Sequence, residues 1–150
     1  MKSLLRFITL SLPLLTAPAI AHADDLKGKL RIVDGDTIEI GGTKIRLHVI
    51  DTPESKQTCQ KPDSRKYLCD EMATFDLAEI VEEHWITCKG ETVDHYKRRI
   101  VACYAGPYDF NAQMVKRGWA LAYRQYSMDY VGEEADARGW GVGMRQGSFV

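Results

Sequence analysis

The stretch KLRIVDGDTIEIGGTKIRLHVIDTPE, from Lys29 to Glu54, decides how the rest of the chain is read. Lys29 to Val33 and Thr37 to Ile40 alternate β-branched and polar residues, the pattern of half-buried strands. Asp34-Gly35-Asp36 reads as the turn between them. Gly41-Gly42 is a two-residue hairpin signal leading into a third strand, Lys44 to Ile50. Asp51-Thr52-Pro53-Glu54 stops that strand, because proline cannot donate to a ladder. Pairing Ile40 with Thr43 sets Asp36 opposite Leu47, so Asp36 and Asp51 fall at the same end of the hairpin. Simple register leaves Asp51 several residues beyond Asp36, and the Thr52-Pro53 loop has to curl back to bring them together.

Downstream, residues 55–69 are polar and read as a loop. From Asp70 the period changes to a helix capped by Asp70 and running to about Glu83, with Met72, Phe75, Ala78 and Ile80 or Val81 on one face. Trp85 to Thr92 and Arg98 to Tyr104 read as two more strands. Asp109 caps a short helix through Lys116, Gly118 ends it at C′, and Asp129 to Arg138 forms a last amphipathic helix. Five strands with one helix between the third and fourth is the order of an OB-type barrel. The expected fold is therefore α+β, mainly β with about three helices. It forms a single domain over residues 24–150 without repeats or linkers.

At the N-terminus, Lys2 and Arg6 precede an apolar run from Phe7 to Leu15, and Ala19-Ile20-Ala21-His22-Ala23 offers two overlapping small-x-small sites. Residues 1–23 thus read as a secretory signal cleaved after Ala21 or Ala23, too short to span a bilayer. The expectation is an exported chain, periplasmic or secreted, without stable membrane association once cleaved. Cleavage removes two cations and no acid, leaving 18 basic against 21 acidic side chains, a formal charge of −3. Such a balance gives no general pull on a polyanion, so any nucleic-acid site must be built locally. Cys59, Cys69, Cys88 and Cys103 enter a disulfide-permissive compartment, where three connectivities are possible. Cys59–Cys69, closing a polar loop, and Cys88–Cys103, tying neighbouring strands, are favoured over free thiols. The spacings hold no C-x-x-C pair and are irregular, which speaks against zinc.

Three segments carry the chemistry. Asp34-Gly35-Asp36-Thr37 places carboxylates around a glycine, able to converge on a hard cation that wants oxygen ligands. Alone it is an ordinary tight turn. Arg46 offers a planar fork for a phosphate near Asp51, and Glu54, set by the Pro53 turn, can accept a proton from water. Asp94-His95-Tyr96-Lys97-Arg98-Arg99 adds a local cationic cluster at a strand junction, which alone also fits a protected strand edge. His48, His84 and His95 have no metal-ligand spacing, and Trp119 reads as core.

Taken together, Asp34-Gly35-Asp36-Thr37, Arg46 five before Asp51, Asp51-Thr52-Pro53-Glu54, Asp94-His95-Tyr96-Lys97-Arg98 and the stretch Asn111 to Tyr126 closely resemble the staphylococcal nuclease, or thermonuclease, family. The resemblance covers about residues 27–138. It implies a monomeric Ca2+-dependent nuclease acting on DNA and RNA. Asp36, Asp51 and the Thr52 carbonyl would hold the calcium, with Asp34 behind them. Glu54 would be the general base, and Arg46 and Arg98 would hold the phosphate. Tyr96, Tyr123 and Tyr126 would line the nucleotide pocket, with the spacing at Tyr123 one residue off the family type.

Some positions depart from the pattern. Lys97 and Val49 stand where relatives carry glycine, Arg99 adds a cation, and Gly139 to Met144 is glycine-rich where relatives continue a helix. A non-catalytic OB module binding nucleic acid or a partner is the alternative, as is a domain acting on an acidic polysaccharide. Neither needs every acid and arginine that this chain keeps.

Overall fold

The computed structural model describes Leu26, residues 30–81 and residues 86–149. The leader expected over residues 1–23, and the expected helix end at Glu83 and strand start at Trp85, lie outside the described residues. The strands are β1 (Leu30–Ile32), β2 (Thr37–Ile40), β3 (Thr43–Leu47), β4 (Ile50–Asp51), β5 (Thr58–Gln60), β6 (Lys66–Leu68), β7 (Ile86–Val93), β8 (Arg99–Ala105), β9 (Tyr108–Asp109) and β10 (Leu121–Ala122). The helices are α1 (Cys69–Val81), α2 (Phe110–Lys116) and α3 (Val131–Trp140), followed by a 3₁₀ turn, Gly143–Gln146.

The main sheet runs β1-β2-β3-β8-β7, with β9 on β8. Neighbours are antiparallel except β3 and β8, which pair parallel with Ile45 opposite Arg99 and Leu47 opposite Val101. This is the α+β architecture of an OB-type fold, with α1 inserted before β7. Among the described residues no β1–β7 pair closes the barrel. The hairpin register is the expected one: Ile40 faces Thr43, and the Leu47 amide donates to the Asp36 carbonyl at 2.8 Å.

The core gathers the inward residues of β2, β3 and β8 (Ile38, Ile45, Leu47, Val101) against Leu77 of α1 and Phe110, Met114 and Val115 of α2. Asp109 caps α2 through the Asn111 and Ala112 amides, and Gly118 at φ 78° terminates it, as the sequence predicts. Both favoured disulfides are present, Cys59–Cys69 and Cys88–Cys103. Trp119 is buried in the core.

Four expectations are corrected. Residues 55–69 are not a plain loop: β5 and β6 form a small hairpin, bridged to Ser148 through Gln60. The third strand does not run unbroken to Ile50, because the chain turns at Val49 (φ 46°) and restarts as β4. Helix α1 begins at Cys69, two residues before the start that an Asp70 cap implies, and Asp70 does not cap it but accepts the Lys56 amide at 2.6 Å. Its buried face is Cys69, Ala73, Leu77, Ile80 and Val81, while Met72 and Phe75 are exposed. The small Cys69 and Ala73 face inward because Cys69 is bonded to Cys59 and Ala73 lies against the Gly35 turn. The last helix is displaced by two residues, starting after Tyr130. Its buried Glu134 pairs with Arg124 and Arg145, each at 2.5 Å, which ties α3 to the C-terminal turn.

Candidate active site

The β1–β2 turn builds the first wall. The Asp36 amide donates to Asp34 Oδ1 at 3.1 Å, and the Val33 amide to the Thr37 carbonyl at 2.9 Å. A methyl group on Gly35 would sit 3.0 Å from Ala73 Cβ and 3.1 Å from Thr52 Cβ, so only glycine lets α1 and the Thr52 loop approach this closely. The loop therefore does curl back and lays Thr52 against the turn that carries Asp36. Strand β4 is held there by β10, with Asp51 opposite Leu121 and Ile50 opposite Ala122.

Asp36 is 7% exposed. Its Oδ1 accepts the Thr37 hydroxyl at 2.8 Å and its Oδ2 pairs with Arg46 Nη2 at 2.9 Å. Burial pushes its carboxyl up to about 6, outweighing the opposing pull of Arg46 and Thr37, with Asp34 adding to the rise. A dry carboxylate whose charge one arginine does not fully balance suits a bound divalent cation. Asp36, Asp51 and the Thr52 carbonyl, the ligands that the resemblance implies, would supply only oxygen donors, the kind calcium prefers. Among the described residues no three His, Cys, Asp or Glu side chains cluster as a metal cage. The expected set asks for two carboxylates only.

The second wall is the turn between β7 and β8. The Asp94 carboxylate accepts the amides of Tyr96 (2.9 Å) and Arg98 (2.8 Å) and Arg98 Nε (2.8 Å). Burial works against its ionisation, but the hydrogen bonds from Arg98 and Tyr96 together hold Asp94 below the usual carboxylate range. Arg98 is thereby fixed by one edge, leaving both Nη groups for a ligand. It lies 5.3 Å from the centre of the Tyr96 ring, which is 69% exposed. Lys97, in place of glycine, adopts φ 65°, so the tight turn survives with a strained residue in it.

Parallel pairing sets Arg46 opposite Ile100, and Arg98 lies two residues before Ile100, on the same side of the sheet. Arg99 faces the other way and donates Nη2 to the Gly90 carbonyl at 2.9 Å, so it braces a bulge in β7 and is not a spare cation behind the clamp. Glu54 is exposed at the head of a turn in which its amide donates to Gln57 Oε1 at 2.7 Å. Tyr123 and Tyr126 are exposed and pack edge to face, centroids 4.9 Å apart, with the Tyr123 amide bonded to the Val49 carbonyl. Asp34, Asp36, Arg46 and Thr52 are thus drawn together directly. Arg98 with Tyr96, Glu54, and the Tyr123–Tyr126 pair occupy neighbouring elements, and among the described residues no hydrogen bond or ion pair joins them to Asp36. Asp94 and Asn111 are supports that sequence reasoning missed. An acid four residues before an arginine across a turn was the available signal for the first.

Acids and arginines thus gather at one end of an OB-type sheet, and residues 44–144 match the family described as staphylococcal nuclease homologue. The chain belongs to that family. It is similar to an "Uncharacterized endonuclease" of Haemophilus influenzae, 29% identical over 122 residues, 77% of this chain and 63% of that protein. A second relative is the "Succinoglycan biosynthesis protein ExoI" of Rhizobium meliloti, 31% identical over 101 residues, 66% of this chain and 53% of that protein. A third is an "Uncharacterized endonuclease" of Escherichia coli O157:H7, 32% identical over 132 residues, 84% of this chain and 78% of that protein. The chain spans less than two thirds of the length of the first two.

Proposed function

We propose that this chain is an exported, monomeric, calcium-dependent nuclease that hydrolyses phosphodiester bonds of DNA and RNA. The observation that carries the reading is the contact of the Thr52 loop with the Gly35 turn, which gathers Asp34, Asp36 and Arg46 at one end of the hairpin. Bound calcium would supply charge neutralisation and a template at the phosphate. Arg46, tied to Asp36 through one Nη, keeps its remaining N–H groups for a non-bridging oxygen, and Arg98 presents its two Nη groups from the turn that leads into β8. Both guanidinium forks would then meet the charge that gathers on the phosphoryl oxygens. Glu54 takes the proton of the attacking water. Tyr96, Tyr123 and Tyr126 offer exposed rings on which a base can stack, a contact indifferent to base identity.

The endonuclease names of two relatives support this reading, while the succinoglycan name of another raises a polysaccharide substrate. Glycoside hydrolysis calls for two carboxyls flanking a sugar. Here Asp36 and Asp94 are each committed to an arginine. The test is digestion of single- and double-stranded DNA and of RNA by residues 24–150, with calcium, with magnesium and with chelator. Calcium-dependent cleavage is expected, with magnesium a poor substitute. Binding without cleavage in every condition would make the protein a binder.

A further inference from the structure

The break between β3 and β4 is a single-residue switch. The His48 amide still follows the parallel pairing, donating to the Val101 carbonyl at 2.9 Å. One residue later, at Val49, the backbone is left-handed (φ 46°), and Ile50 and Asp51 leave the main sheet to pair with β10. A β-branched residue is a poor occupant of that conformation. The carbonyls on either side of the switch are both held. The Val49 carbonyl accepts the Tyr123 amide at 2.9 Å, and the His48 carbonyl accepts Asn111 Nδ2 at 2.7 Å.

Asn111 is fully buried at the second position of α2, where its own amide is bound by the Asp109 cap. Asp109 is in turn anchored by the Tyr130 hydroxyl at 2.9 Å. Among the described residues Asn111 Oδ1 has no partner. A half-satisfied amide is a poor choice for stabilising a dry core, so its value lies in the group it donates.

We infer that Asn111 is a positioning residue for the candidate metal loop: by holding the His48 carbonyl it fixes the kink at Val49 and aims Asp51 and Thr52 toward Asp36. The inference rests on the calcium reading above. Its test uses Asn111→Ala and the double variant Asn111→Ala with Val49→Gly. Two readouts need no nucleic acid: calcium affinity by calorimetry, and hydrogen exchange of the Tyr123 amide.

Groups that orient metal ligands are commonly worth about ten- to a hundredfold in affinity, so Asn111→Ala is expected to weaken calcium binding at least about tenfold. Tyr123 exchange should accelerate with it. Glycine accepts positive φ without strain, so adding Val49→Gly should recover at least about threefold of the lost affinity. A residue that merely packs would give no such rescue. Asn111→Leu keeps the shape without the donor and leaves no polar atom in the dry core, so it carries the same expectation if the alanine variant does not fold. The inference is overturned if either variant melts earlier yet binds calcium within about twofold of the unmodified protein, a change below what ligand-orienting groups produce. It is also overturned if Val49→Gly rescues nothing. Unmodified protein that binds no calcium would overturn the metal reading and this inference together, whereas normal binding in the variants overturns only this one.

Discussion

Replacing Asp36 by asparagine should make the metal-free protein more stable while removing the proposed calcium site. The side chain is nearly dry, and its carboxyl is raised from the usual 3.8 to about 6, first by burial. Holding it ionised at pH 7 therefore costs about 3 kcal/mol relative to a carboxyl in water, at about 1.4 kcal/mol for each tenfold change in the protonation constant. That figure already contains the help of Arg46 and Thr37, which is why removing the charge is favourable even though the Asp36–Arg46 pair is lost.

Because the folded state binds this proton more tightly than the unfolded state, the Asp36 contribution is present at low pH. It is lost as pH rises from about 4 to about 6. Asp36→Asn should flatten that part of the profile. At pH 7 in chelator it should raise stability by about 1–3 kcal/mol, or up to roughly 10 °C in Tm for a domain of this size. Excess calcium should reverse the order, stabilising the unmodified protein by mass action and leaving the variant unmoved. Thermal and urea melts at pH 4, 6 and 8, with calcium and with chelator, measure all of this. A variant that loses more than about 1 kcal/mol in chelator at pH 7 would refute the reasoning, because Asp36–Arg46 would then be a net stabilising pair and not an unfilled cation site.

Lys97→Gly relieves a left-handed residue in an exposed turn and should raise stability by about 1 kcal/mol with turnover intact, read from melts and nuclease kinetics. Arg98→Ala should lower kcat about a hundredfold or more, and Arg98→Lys should rescue little because the fork is lost. Arg99→Ala should lower stability by about 1 kcal/mol through the freed Gly90 carbonyl but leave kcat near normal, and equal kcat losses at the two arginines would sink the clamp assignment. Replacing Cys59 and Cys69 by serine opens a loop of 10 residues and should cost about 2–3 kcal/mol in a denaturant titration.

The Lys29–Glu54 stretch made the hairpin, its register and the site end of the sheet legible, because alternation, a Gly-Gly turn and a proline stop all agreed. The cap at Asp109 and the C′ glycine at Gly118 were legible for the same local reason. The buried face of α1 was not. Cys69 and Ala73 carry little hydrophobic weight, and their burial is set by partners elsewhere in the chain, the Cys59 sulfur and the Gly35 turn. The candidate site residues stand out as motifs, but the groups that brace them do not. Asn111 reaches a carbonyl 63 residues away, and Asp94 matters through hydrogen bonds that exist only once its turn has formed. Val49 stands out in the sequence only as a departure from the family's glycine, and its significance is a backbone dihedral that a β-branched side chain does not announce.

The parallel seam between β3 and β8 also dictates when the site comes into being. Arg46 lies on β3 and Arg98 just ahead of β8, and these strands pair across an intervening stretch that holds the β5–β6 hairpin, α1 and β7, since Ile45 must find Arg99 across that whole excursion. Contacts so distant along the chain are closed late, because loop entropy has to be overcome before they give anything back. The antiparallel β7–β8 ribbon, with Cys88 facing Cys103, is local and can be cross-linked before it docks. A covalently closed ribbon docking onto the first hairpin would then bring Arg98 to the side where Arg46 lies. Partly folded chains, or chains cross-linked in the wrong pairs, would own one arginine or the other at the phosphate site but never both.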